Sequence, residues 1–159
     1  MFLLLGGSNE RSWNEAQSSC NVFGADLVDF QSEGEMNAVY THLDWNHNSG
    51  SWRFYWVGLN DLRQPNQLEW VNTASRNKPY NERSFKYWSI DGDMYVESRR
   101  CTFALFSNNL PDAANGDEGR WAKHSCSERN SYICKIAETD VVKECDSGWT
   151  VLDFGNGEK

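Results

Sequence analysis

The apolar positions of this chain change their period part-way along it. In the first third they recur at helical spacing: Trp13, Ala16, Cys20 and Phe23 form one stripe, and Met36, Val39, Tyr40 and Leu43 a second. Ser12-Trp13-Asn14-Glu15 and Ser32-Glu33-Gly34-Glu35 introduce the two stripes as capping boxes, in which a Ser hydroxyl and a Glu carboxylate satisfy the orphan amides of a helix start. Gly24 stands where the first helix should stop, and residues 25–30 read as a brief extended link. From Trp52 onward short aromatic and β-branched runs at 52–59, 68–71, 100–106, 119–123 and 132–136 alternate with polar loops and predict strands. Residues 72–100 carry no clear period, and so long an irregular stretch within a compact domain is usually functional or specially pinned. Helices first, then strands and a long loop, predict an α+β domain.

Composition narrows the class. Aromatics make up 14% of the residues and include 8 Trp, so the core should rest on large rings. With 15 Lys+Arg against 23 Asp+Glu the formal charge is -8, which repels nucleic-acid backbones and anionic bilayers as general partners. No run approaches the ~20 apolar residues of a membrane span. Met1-Phe2-Leu3-Leu4-Leu5 is too short for a secretion signal, so any signal and anchor are expected outside this stretch. Five cysteines suggest disulfides and an oxidising compartment, and their odd number implies one partner elsewhere. Residues 137–144 are a polar connector. Cys145-Asp146-Ser147-Gly148-Trp149-Thr150-Val151 then starts a new pattern.

Trp13-Asn14-Glu15-Ala16 leading to Cys20, Ala25-Asp26-Leu27, Trp56-Val57-Gly58-Leu59, Leu68-Glu69-Trp70, Cys101 with Trp121 and Cys126, and Tyr132-Ile133-Cys134 are each common, but their order and spacing together are specific. On these residues the chain resembles the C-type lectin-like family, and most closely one module of a tandem array like that of the macrophage mannose receptor. The resemblance implies a disulfide-stapled fold of two helices, short antiparallel sheets and a long irregular loop. It implies bridges Cys20–Cys134 and Cys101–Cys126, closing loops worth roughly 4.8 and roughly 3.5 kcal/mol on the chain-entropy model, and leaves Cys145 unpaired. The implied organisation is a domain over 1–136 that lacks its upstream start, a linker over 137–144, and the opening of a second such domain over 145–159. Phe2 to Leu5 would be the remnant of the first strand.

Sugar-binding members of such a family hold calcium through a Glu-Pro-Asn or Gln-Pro-Asp triplet in the long loop and the Asn-Asp of a Trp-Asn-Asp triplet. Hard oxygen donors there leave coordination positions for two vicinal sugar hydroxyls. Here Trp88 is followed by Ser89-Ile90-Asp91-Gly92-Asp93-Met94, and the later triplet reads Trp121-Ala122-Lys123. Ala122 has no side-chain oxygen and Lys123 puts a cation where a dication should sit, so the expectation is a degenerate calcium and sugar site and no cofactor. The alternative retains calcium-dependent carbohydrate binding through an acidic set drawn from Asp91, Asp93, Glu97, Asp112, Asp117 and Glu118. As an EF-hand loop that set fails at Val96 and Thr102.

Gln64-Pro65-Asn66 copies half a sugar triplet by letter but precedes the long loop, and reads as a turn. Tyr80, Phe85, Tyr87, Trp88 and Tyr95 cluster in the long loop, where aromatics either stack on a ligand or fold inward as the loop's own core. Arg99, Arg100, Arg120 and Lys123 flank them and suit acidic or sulfated ligands. The candidate ligand-binding residues are therefore Tyr80, Tyr87, Trp88, Asp91, Asp93, Tyr95, Glu97, Arg120 and Lys123. His124 near Cys126 suggests zinc only if that cysteine is free. No phosphate loop, zinc-protease helix or nucleophile elbow occurs. The sequence thus predicts a non-enzymatic extracellular recognition module, secreted or in a receptor ectodomain. It would bind glycan or protein without calcium, or act as a spacer beside neighbouring modules.

Overall fold

The computed structural model describes residues 2–40, 52–73, 77–89, 95–107, 119–136 and 149–153. Ser12 caps helix α1 (Trp13–Val22): its amide donates to Glu15 Oε2 at 3.0 Å, and the Glu15 amide returns to Ser12 Oγ at 3.5 Å. In helix α2 (Glu33–Tyr40) the Glu35 amide donates to Ser32 Oγ at 3.1 Å, but the Glu35 carboxylate reaches one residue further back, to the Gln31 amide at 2.9 Å. That carboxylate also pairs with Lys135, a partner outside the local pattern. Leu43, expected on the second stripe, lies outside the described residues.

The strands are β1 (Phe2–Arg11), β2 (Asp26–Leu27), β3 (Trp52–Asn60), β4 (Glu69–Trp70), β5 (Lys78–Pro79), β6 (Cys101–Ser107), β7 (Trp121–His124), β8 (Asn130–Ile136) and β9 (Trp149–Asp153). They run β5-β4-β3-β8-β1-β9, with β2 also on β8, and β6 joining β3 to β7. All pairings are antiparallel except β3 with β8. The first strand is longer than its apolar run predicts. Backbone pairing to β8 carries it past Gly6-Gly7-Ser8-Asn9, with a register shift between Gly6 and Arg11. The backbone of β9 pairs with β1 from Phe2 opposite Asp153 to Gly6 opposite Trp149.

Alternation along β3 divides the core in two. Trp56 joins Trp13, Ala16, Leu27 and Phe103 around α1, whereas Val57 and Leu59 join Phe30, Met36, Trp70 and Trp121 beneath α2 and the long loop. Two indoles fix the start of α1 and the end of β1 against β3, Trp13 Nε1 donating to the Val57 carbonyl and Trp56 Nε1 to the Arg11 carbonyl, each at 2.9 Å. Cys20 is bonded to Cys134, tying α1 to β8, and Cys101 to Cys126, tying the start of β6 to the segment after β7. Cys145 lies outside the described residues.

Gly58 sits at the closest backbone approach. Its amide donates to the Val28 carbonyl at 2.8 Å and its carbonyl accepts from Val71 at 3.0 Å. A Cβ there would meet the Leu27 carbonyl oxygen at 2.8 Å and Val71 Cγ1 at 2.9 Å. Gly58→Ala should therefore cost about 1–3 kcal/mol through backbone displacement. Gly34→Ala, in a helix with nothing within 4 Å of the new methyl, should be neutral or stabilising by up to about 1 kcal/mol. Urea unfolding of the two variants checks both.

An ionic cluster clamps the link before α2. Asp29 accepts from Lys135 and Lys78, each at 2.8 Å, and from Gln31 at 2.8 Å. Burial pushes the Asp29 carboxyl up, but the charge and hydrogen bond of Lys135, with those of Lys78, outweigh it and hold the group below its ordinary range. Burial likewise pulls Lys135 down, and Asp29 and Glu35 outweigh it to raise the ammonium. A lowered carboxylate stabilises the fold above its unfolded value of about 3.9 and loses that contribution as pH falls through the folded value; a raised ammonium contributes below about 10.4 and loses it as pH rises. Asp29→Asn should cost about 1.5–3 kcal/mol at neutral pH. The difference from the parent should shrink in urea titrations at pH values below about 4.

Candidate ligand-recognition site

The site is built on β7, which pairs with β6 so that Thr102 faces Lys123 and Ala104 faces Trp121. Alternate residues of a strand share a face, and Trp121 and Lys123 are buried while Ala122 and His124 are only partly so. The far edge of β7 is occupied by the end of the long loop: the Trp121 amide donates to the Tyr87 carbonyl at 2.8 Å, and the Ser89 amide to the Trp121 carbonyl at 2.9 Å. The indole of Trp121 stacks on Phe30 and meets the edges of Trp70, Phe85 and Trp88, with ring centroids 5.4 to 6.0 Å apart.

Tyr40, at the end of α2, completes this junction. Its hydroxyl donates to the Gly119 carbonyl at 2.5 Å and accepts from Trp121 Nε1 at 3.3 Å. Burial pushes the phenol far above its ordinary value, so it remains a neutral donor. Gly119 has φ 73°, and a Cβ would lie 2.3 Å from the Tyr40 ring. Only glycine fits both the backbone and the ring.

Most of the long-loop aromatics face inward. Phe85, Tyr87, Trp88 and Tyr80 are half-buried against the Trp121 cluster, and Trp88 Nε1 donates to the Tyr80 hydroxyl at 2.6 Å. Arg120 is engaged locally, its guanidinium 4.6 Å from the Tyr87 ring centroid and Nη1 donating to the Trp88 carbonyl at 3.1 Å. Arg100 bonds the Asp61 and Leu62 carbonyls and pairs with the Asp61 carboxylate. Tyr95 is 41% exposed, and Glu97 is exposed in the turn closed by Arg99 N to Val96 O at 2.8 Å. Asp91 and Asp93, like Asp112, Asp117 and Glu118, lie outside the described residues. Cys126 is consumed by its disulfide, so His124 has no neighbouring thiolate for zinc.

Lys123 is only 5% exposed. Among the described residues the contact of Lys123 Nζ is the Tyr95 ring, 5.7 Å to the centroid. Lys123 also lines an open cavity of about 480 Å³ between the long loop and the 63–69 turn. Tyr80, Trp88 and Lys123 from the predicted set meet in this cavity, and Arg63, Gln64, Asn66, Asn81 and Lys86 join them. The 64–66 segment is a turn as predicted, Gln67 N bonding Gln64 O at 3.1 Å with Asn66 at φ 61°. Its place on the cavity was not legible locally, because it depends on β4–β5 pairing and the Tyr80 amide donating to Leu68 O at 3.2 Å.

Tyr40→Phe should cost about 1–3 kcal/mol, since it leaves the buried Gly119 carbonyl and Trp121 indole without their partner. Denaturation monitored by tryptophan fluorescence checks the loss, and a thermal shift indistinguishable from the parent would contradict it.

Residues 9–136 match the sequence family described as Lectin C-type domain. Lymphocyte antigen 75 of Mus musculus is 26% identical over 157 residues, covering 93% of this chain and 8% of that protein. The secretory phospholipase A2 receptor of Homo sapiens is 29% identical over 143 residues, covering 88% of this chain and 8% of that protein. The chain thus spans less than a tenth of the length of these relatives. Among solved structures, the C-type lectin domain of murine dendritic cell inhibitory receptor 2, solved in complex with N-glycan, superposes with a TM-score of 0.62 at 22% identity, covering 86% of this chain and 90% of that one. Herring type II antifreeze protein superposes with the same TM-score at 18% identity, covering 86% and 91%. With the match across residues 9–136 and this fold, the chain belongs to the C-type lectin domain family.

Proposed function

We propose that this non-enzymatic domain recognises a glycan or protein ligand in the extracellular space without a calcium ion. The observation that carries this reading is Lys123, a nearly buried cation two residues after Trp121 on the same strand face. A C-type lectin site built on calcium needs oxygen donors there. Ala122 has none, and the Lys123 ammonium opposes a dication by charge and offers no lone pair. The residues present do not fit the ion.

The two disulfides support an oxidising, extracellular setting, as a secreted domain or part of a receptor ectodomain. The excess of acidic residues disfavours nucleic acid as partner. Residues 145–159 are read as the start of a neighbouring module of the same type, joined through the 137–144 linker, with the Trp149–Asp153 strand docked on β1 of this domain.

Calorimetric titration of the oxidised chain with Ca²⁺, followed by glycan-array binding with calcium and then with chelator, tests the reading. The expected result is no calcium heat and array signals indifferent to chelator. Calcium uptake with chelator-sensitive glycan capture would contradict it and favour the acidic set around Asp91 and Asp93.

A further inference from the structure

We propose that the cavity between the 63–69 turn and the long loop binds an acidic saccharide, with the Lys123 ammonium as counterion to its carboxylate or sulfate group. The proposal deepens the calcium-free reading and rests on it.

Three cations, Arg63, Lys86 and Lys123, and one carboxylate, Glu69, line this cavity in a chain whose formal charge is -8. Glu69 is already neutralised, its Oε2 2.6 Å from Arg63 Nη2 and its Oε1 accepting from Asn77 at 2.8 Å. Lys123 has no such partner among the described residues. The residue is largely covered and its ammonium lies beside a tyrosine ring, and an anionic group entering the cavity would give it a charge partner.

The remaining lining identifies the rest of the ligand. Gln64, Asn66 and Asn81 present side-chain amides, each both donor and acceptor and so suited to hydroxyl groups. Trp88 and Tyr80 add ring surface for a sugar's apolar face. A volume of about 480 Å³ suits one or two saccharide units. An acidic peptide would use the cations but would leave the hydroxyl-matching amides unexplained, so the saccharide is favoured.

The test is isothermal titration of the oxidised chain in EDTA with 3′-sialyllactose and with a sulfated heparin disaccharide, against lactose and a tetraglutamate peptide. Either acidic sugar should bind at least about tenfold more tightly than lactose, with the two acidic arms separating carboxylate from sulfate. Lys123→Met should abolish at least about tenfold of that preference, and Lys86→Gln, an exposed change that leaves the core untouched, should weaken it by a smaller factor and steepen no salt dependence. Equal affinity for lactose and the acidic sugars, an unchanged preference in Lys123→Met, or tighter binding of tetraglutamate would each overturn the proposal. If Lys123→Met does not fold, retention of the full preference by Lys86→Gln, with no loss on raising salt, overturns it. Binding that appears only when calcium replaces EDTA would refute the calcium-free reading itself, whereas charge-indifferent binding in EDTA would refute this inference alone.

Discussion

The indole of Trp121 is the point on which the upper half of the domain is assembled. It stacks on Phe30 from the link before α2, meets Trp70 from β4, and receives Phe85 and Trp88 from the long loop. Its backbone bonds the loop at Tyr87 and Ser89 while its Nε1 reaches Tyr40. An irregular segment would otherwise carry many unpaired backbone groups. Here one strand edge and one ring give it both hydrogen-bond partners and an apolar floor. The Cys101–Cys126 bridge lies close to the far end of the same strand pair, so the geometry of the candidate site follows from a short, doubly anchored β7.

Lys123 takes its position from that anchoring. A residue two places after a buried indole must point to the same side of the strand, and in this chain that residue is a lysine. Among the described residues its Nζ stands beside the Tyr95 ring and has no carboxylate partner. A cation held in this way favours an anionic visitor and disfavours calcium by the same electrostatics. The cavity beside it is lined by side-chain amides and by half-buried aromatics.

Much of the scaffold was legible in the sequence because it rests on local signals. The capping box at Ser12, the Ser32 hydroxyl that caps the second helix, the stripes through Cys20 and Tyr40, and the strand runs at Trp56, Trp70 and Ile133 all express short-range chemistry. What escaped was set by distant partners. The first strand runs on to Arg11 because β8 pairs with it on both sides of the register shift between Gly6 and Arg11, and Lys78-Pro79 forms a strand through Glu69 and Trp70. Among the candidate residues, Lys123 was visible from its neighbour Trp121 and the family pattern. The contribution of Arg63, Gln64 and Asn66 was not, since their turn reaches the cavity only after β4 and β5 pair. The inward packing of Trp88 and Phe85 was equally a tertiary outcome, as rings of that size serve a core and a ligand alike.

The most direct test of the account is a crystal structure of the oxidised chain grown at millimolar calcium. The prediction is the Lys123 ammonium beside Tyr95 and facing the cavity, with no calcium density near residues 121–123. A calcium ion bound at that position, with the Lys123 side chain turned away from the cavity, would contradict it.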